Sequence, residues 1–266
     1  MMAQTQPQTN ITPVLEVRGM TQQFGGLRAV SDFNVRLMPG ELTGLIGPNG
    51  AGKTTVFNLV SGFYQPTVGE IFINGQPTAG LKPHKVTSLG VARTFQNIRL
   101  WNDMTVLDNI RVAQHYWLNY GFFSSVFRTK RYKQRETQIS EEANELLEVF
   151  DLMQFADEFP KNLPYGTQRK LEIARALSTK PKLLLLDEPA AGLNSADAKD
   201  LIRLIRWIHE TFDVTIWMIE HHMDVMMELC EQIKVIDFGE TIAEGNPEDI
   251  RNHPAVITAY LGDDNI

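Results

Sequence analysis

Gly47-Pro48-Asn49-Gly50-Ala51-Gly52-Lys53-Thr54 is the stretch on which the reading of this sequence turns. It follows a short apolar run, Leu42 to Ile46, and leads into Thr54 to Val60, which reads as the start of a helix. Glycines at this spacing let backbone N–H groups converge on phosphate oxygens without side-chain obstruction. The helix that follows turns its positive end toward the same anion. A strand before and a helix after are the context this pattern demands, which a glycine-rich turn with a surface lysine would not need. The expectation is that Gly47, Pro48, Asn49, Gly50, Ala51, Gly52, Lys53, Thr54 and Thr55 hold the phosphates of a nucleotide. Lys53 would bridge the β- and γ-phosphates, and the Thr54 hydroxyl would ligate Mg²⁺.

Leu183-Leu184-Leu185-Leu186-Asp187-Glu188 is the complementary signal. An apolar strand ending in two carboxylates places Asp187 at the carboxyl edge of a sheet, where ligands bind in open α/β folds. Asp187 is suited to hold Mg²⁺ through water, and Glu188 to orient or deprotonate the attacking water. Either carboxylate alone would be an ordinary solvated strand end. Together with the glycine-rich loop they indicate a nucleotide phosphohydrolase, with a GTPase or small-molecule kinase still open at this stage.

The chain has 266 residues, 43% of them hydrophobic, enough to bury a substantial core as one large domain or a core with an appended lobe. Its 25 Lys+Arg against 32 Asp+Glu leave a formal charge of -7, which repels phosphate backbones and argues against nucleic acid as a partner. The single cysteine, Cys230, forms no internal disulfide; it reads as a small buried apolar residue in a reducing compartment. No apolar run approaches the roughly 20 residues a spanning helix needs. Residues 1–12 read as a flexible tail without a secretion signal. Cytoplasm is the expected location.

Alternation around Val14 to Val17 and Ala29 to Leu37, then Ile71-Phe72-Ile73-Asn74-Gly75, predicts antiparallel strands near the N-terminus. From about Ile98 to Asn162 the pattern is helical: Thr105-Val106-Leu107-Asp108 resembles a capping box, and Ser140-Glu141-Glu142 opens a segment carrying Leu146, Leu147 and Phe150. Leu183 to Leu186 and Val214 to Ile219 are continuous apolar runs, as in strands covered on both faces of a parallel sheet. Between them, Leu201, Ile202, Leu204, Ile205 and Ile208 form the stripe of a helix packed on that sheet.

The order of these motifs resembles the ATP-binding-cassette family over nearly the whole chain. In that resemblance Gln96, in Arg93-Thr94-Phe95-Gln96, matches the Q-loop glutamine, which contacts Mg²⁺ and the attacking water and links the core to a helical lobe. Leu163-Pro164-Tyr165-Gly166-Thr167-Gln168-Arg169 occupies the signature position ahead of the helix Lys170 to Leu177, Ala191-Gly192-Leu193-Asn194 the D-loop, and His221 the switch histidine. Phe24 falls where the family stacks an aromatic on adenine; read alone, it would be a core aromatic. His222 is read as structural.

What the resemblance implies is an α/β fold: a P-loop NTPase core, mainly parallel sheet with flanking helices, bearing an N-terminal antiparallel β subdomain and an inserted helical subdomain. The cassette would span residues 13–266, with the helical insert at about 98–177. It also implies a head-to-tail dimer with a second ATPase subunit, itself or a paralogue, in which Gly166 and its helix end meet the γ-phosphate across the interface, and His221 bonds that phosphate from its own side. Lys53, Gln96, Glu188 and His221 would be the catalytic set; Thr54, Gln96 and Asp187 would face Mg²⁺.

The chain departs from the family at two places. Pro164 and Tyr165 stand where the usual signature has Ser and Gly, and Asn194 replaces the D-loop aspartate. The same departures, with Asn58 to Tyr64, Arg93 to Leu100, Glu188 to Asn194, Ile219-Glu220-His221 and Ala259-Tyr260-Leu261-Gly262, resemble the subgroup of branched-chain amino-acid importer ATPases of LivG type. Partners implied are two membrane-spanning permeases and a solute-binding protein, with the chain peripheral on the cytoplasmic face of the cell membrane. Import of urea or short amides is the nearest alternative; a soluble non-transport cassette would normally join two cassettes or carry a long coiled coil. An aromatic and basic insertion between Tyr116 and Arg135, with Trp117, Phe122, Phe123, Arg128, Lys130, Arg131 and Lys133, reads as lobe packing with a solvated basic face; a patch facing permeases or anionic headgroups is the sharper alternative.

Overall fold

The computed structural model describes residues 11–114, 130–221 and 223–261. Most of the expected tail, His222, Gly262 and, in the insertion, Trp117, Phe122, Phe123 and Arg128 lie outside the described residues, as do the side chains of Lys130 and Arg131. Strands β1 (Leu15–Phe24) and β2 (Leu27–Leu37) alternate buried and exposed residues, which fits a sheet with one covered face. With β4 (Val68–Ile73) and β5 (Gln76–Pro77) they form an antiparallel sheet in the order β2-β1-β4-β5.

Strands β3 (Leu42–Ile46), β6 (Val91–Arg93), β7 (Leu183–Asp187), β8 (Thr215–Ile219), β9 (Gln232–Asp237) and β10 (Glu240–Gly245) make the second sheet, ordered β10-β9-β3-β8-β7-β6. All its neighbours pair in parallel except β10 with β9. The unbroken apolar runs have a direct cause: successive residues enter two different cores. Leu184, Leu186, Ile216 and Met218 face one cluster, while Leu183, Leu185, Trp217 and Ile219 face the other. The antiparallel sheet is anchored through the second. Phe33 stacks on Trp217 at 6.3 Å, and Phe57 of α1 (Lys53–Val60) meets the same ring at 5.0 Å.

Helix α2 (Pro83–Ser88) precedes β6. The described residues between β6 and β7 include α3 (Val106–Gln114), α4 (Lys130–Val149) and α5 (Tyr165–Ser178), with short 3₁₀ turns at Met153–Phe155 and Pro160–Asn162. The Thr105 hydroxyl accepts the Asp108 N–H at 3.1 Å, the N-cap half of the anticipated box. Ser140 does not open a segment. It sits inside α4, its hydroxyl donating back to the Glu136 carbonyl at 2.9 Å, so the polar cluster there is a solvated stretch of a running helix. Helix α6 (Ser195–Thr211) buries Leu201, Ile202, Ile205 and Ile208. Helix α7 (Met223–Leu229) joins β8 to β9, and α8 (Pro247–Arg251) and α9 (Pro254–Leu261) follow β10. Cys230 is buried, and desolvation pushes its thiol up to about 12.

Candidate nucleotide site

The parallel sheet brings the ends of β3 and β7 to one edge, because both flank β8 in register: Leu45 pairs with Ile219, as does Asp187. The loop from Gly47 to Gly52 leaves that edge and delivers Lys53 as the first residue of α1. Two glycines are required by sterics. A Cβ on Gly47 would lie 2.0 Å from the Ile236 carbonyl oxygen, and one on Gly52, at φ +105°, 2.5 Å from that of Ala29. The Lys53 ammonium donates to the Gly47 and Pro48 carbonyls at 2.6 and 2.9 Å, inside the loop it closes. Burial lowers its pKa, and Glu188 and Asp187 partly offset that effect.

Beyond β7 the backbone turns sharply. Glu188 adopts φ +48°, a left-handed conformation costly for a side-chain-bearing residue, and its N–H is held by the Ile219 carbonyl at 2.9 Å. Its carboxylate takes two partners: Gln96 Nε2 reaches Oε2 at 2.5 Å, and His221 Nδ1 lies 3.2 Å from Oε1. Two expected residues from separate segments, Gln96 and His221, therefore converge on the carboxylate of a third. Asp187 is gripped from the other side, Arg93 Nη2 approaching Oδ2 at 2.7 Å. A cleft of about 340 Å³ opens among Thr54, Asn58, Arg93, Gln96 and Asp187. Thr54 and Gln96 are exposed to it, giving hydroxyl, amide and carboxylate oxygens. This hard-oxygen set suits Mg²⁺, which binds through one or two protein oxygens plus substrate phosphates.

Phe24, at the end of β1, is 41% exposed and meets the Tyr64 ring edge-on at 5.3 Å, so it is not a core aromatic. Gly166 occupies a different surface. It lies in the first turn of α5 and lines a cleft with Pro164, Thr167, Lys170, Leu193 and Asp197; a Cβ there would come within 3.2 Å of the Asp197 carboxylate. Asn194 caps α6, accepting the Ala196 and Asp197 N–H groups, each at 2.9 Å.

A family model described as ABC transporter matches residues 30–191, well over half of the chain. The chain belongs to the ABC transporter family. A second model, described as branched-chain amino acid ATP-binding cassette transporter, matches residues 240–265 of this ABC ATPase. The branched-chain amino acid transport ATP-binding protein BraF of Pseudomonas aeruginosa is 47% identical over 251 residues, covering 94% of this chain and 98% of that protein. LivG of Escherichia coli K12, of the same description, is 46% identical over the same shares. The ADP conformation of MJ1267, an ATP-binding cassette of an ABC transporter, superposes with a TM-score of 0.81 at 28% identity, covering 94% of this chain and 99% of that one. The ABC fold, ATP binding and ATP hydrolysis coupled to transport, expected from the motifs, stand on these likenesses.

Three residues of this ABC ATPase escaped the sequence reading. Arg93 and Arg169 lay inside quoted motifs without a role, and Glu172 was not singled out. The side chains of Arg169 and Glu172 are 0% and 1% exposed and paired at 2.9 Å. An Arg and a Glu three apart on a helix, flanked by the apolar Leu171 and Ile173, were the available signal.

Proposed function

We propose that this ABC ATPase powers the import of branched-chain amino acids as one of two ATPase subunits beneath two permeases, served by a solute-binding protein. Its place is the cytoplasmic face of the membrane; among the described residues no helix is long and apolar enough to cross one. The observation that carries the reading is the convergence of Gln96 and His221 on Glu188, beside Asp187 and the Lys53 loop.

In this reading the loop from Gly47 to Thr55 and Lys53 bind the triphosphate, and Phe24 offers its exposed ring to adenine. Thr54, Gln96 and Asp187 would hold Mg²⁺, which would supply positive charge to offset that of the phosphates. Glu188 accepts a proton from the attacking water, with Gln96 orienting both. His221 stabilises the same carboxylate and bonds the γ-phosphate. The end of α5 at Gly166, on its separate surface, serves the partner subunit's nucleotide with its N–H groups and positive dipole.

Solute contacts lie on other subunits, so the substrate is tested in the assembly. Reconstituted with its candidate permeases and binding protein in vesicles, the chain is expected to drive ATP-dependent uptake of leucine and not of urea. Uptake of urea alone would overturn the substrate; an assembly that never hydrolyses ATP would overturn the ATPase role.

A further inference from the structure

The beginning of α5 departs from its family's signature at Tyr165, and the structure shows what that residue touches. Its hydroxyl accepts a hydrogen bond from Arg169 Nη2 at 3.0 Å. Its ring lies against Gly192, where a Cβ at φ +76° would come within 3.4 Å of it. Arg169 spends its other donors on the Q-loop backbone: Nη1 reaches the Phe95 carbonyl at 2.7 Å and Nη2 the Gln96 carbonyl at 2.8 Å. Glu172 completes the grip from one turn later. Its Oε2 accepts from Arg169 at 2.9 Å, and its Oε1 accepts the N–H groups of Phe95 and Arg99 at 3.3 and 3.2 Å.

A buried ion pair is weak evidence for stability, since desolvating both charges offsets their attraction. Arg169 Nε, moreover, is buried without a partner, a cost the fold accepts. What the pair supplies is geometry. A planar guanidinium bonded to two successive carbonyls fixes the orientation of that peptide as a lysine could not. The peptide it fixes carries Gln96, whose side chain donates to Glu188. One connected set of contacts thus runs from Gly192 through Tyr165 and Arg169 to Gln96 and Glu188. The helix it passes through is the one whose first turn holds Gly166.

We propose that Tyr165, Arg169 and Glu172 are positioning residues that lock the Q-loop to the signature helix, so that the chain's own Glu188 and the Gly166 end offered to the partner's nucleotide move as one body. Tyr165 is then a working part of the altered signature. The proposal rests on the roles proposed above for Gln96 and Glu188.

The test uses the full chain, with and without its permeases. Tyr165→Phe keeps the ring and removes one acceptor from Arg169. It is expected to leave KM for ATP and thermal midpoint nearly unchanged while kcat falls about threefold, and combined with Gln96→Ala to lower kcat no further than Gln96→Ala alone, because the two act through one path. Unchanged kcat, or losses that multiply in the double variant, would overturn the proposal. Arg169→Lys is read by hydrogen exchange, independently of hydrolysis: the Phe95 and Arg99 amides are expected to exchange about tenfold faster, the equivalent of 1.4 kcal/mol. Exchange unchanged in a folded Arg169→Lys protein would also overturn it. A wild-type chain that fails to hydrolyse ATP would sink the ATPase reading while the exchange measurement still decides the lock.

Discussion

Arg93 Nη2 stands 2.7 Å from Asp187 Oδ2, and the two side chains are 6% and 5% exposed. The same guanidinium donates to Asn58 Oδ1 at 2.9 Å and Ser61 Oγ at 3.1 Å from α1 and its cap, and lies over the ring of Phe95 at 5.0 Å. Arg93 thereby ties the end of β6 to α1 and to the end of β7, and engages one of the two oxygens of Asp187.

Arg93→Met should therefore be severe. Removing one member of a buried pair leaves the other charge uncompensated, a loss of about 3–5 kcal/mol measurable by urea unfolding. The half-saturating Mg²⁺ concentration for hydrolysis should rise with it. A variant of native stability and Mg²⁺ dependence would show the contact to be idle.

Glu188→Gln should separate chemistry from binding. The amide keeps the shape but cannot take a proton, so hydrolysis should fall by about 10²- to 10⁴-fold while nucleotide affinity is retained. Turnover at the wild-type rate would remove Glu188 from the role of base.

Gly47→Ala should abolish nucleotide binding, and most of the protein should be lost from the soluble fraction. The added methyl meets the Ile236 carbonyl of β9 at 2.0 Å, a backbone group with no freedom to withdraw. Equilibrium dialysis with labelled ATP on any folded fraction checks it; binding at wild-type affinity would contradict the packing described.

Asn194→Ala should cost about 1 kcal/mol through loss of the α6 cap, whereas Asn194→Asp should keep it, since a carboxylate accepts the same two N–H groups. Thermal unfolding of both variants discriminates; equal losses would show that the cap is not what Asn194 contributes.

Cys230 should resist alkylation in the native protein at pH 8. Desolvation holds its thiol at about 12, leaving little thiolate, and the side chain is buried. Mass spectrometry after iodoacetamide should find it unmodified until denaturant is added. Rapid native labelling would mean that α7 opens readily.

The glycine-rich loop, the Asp187-Glu188 strand end and the alternation of β1 and β2 were legible because each is local: a glycine spacing, an apolar run, a period of two. The limits of such patterns show at Ser140, where three polar residues imitate a helix start in the middle of α4. They show again at Phe24, whose half-exposed ring no short motif could distinguish from a core aromatic.

By itself the sequence determined the class of fold, the order of its elements, the glycine-rich loop ahead of α1 and the carboxylates at the end of β7, since these depend on neighbours a few residues apart. Only the tertiary structure decided which side chains meet: Gln96 with Glu188, Arg93 with Asp187, Arg169 with the Q-loop backbone. Those partners lie 92, 94 and 73 or 74 positions apart. Such pairings are set by the parallel register of β6, β7 and β8 and by the seating of α5 against them, and no period along the chain encodes either.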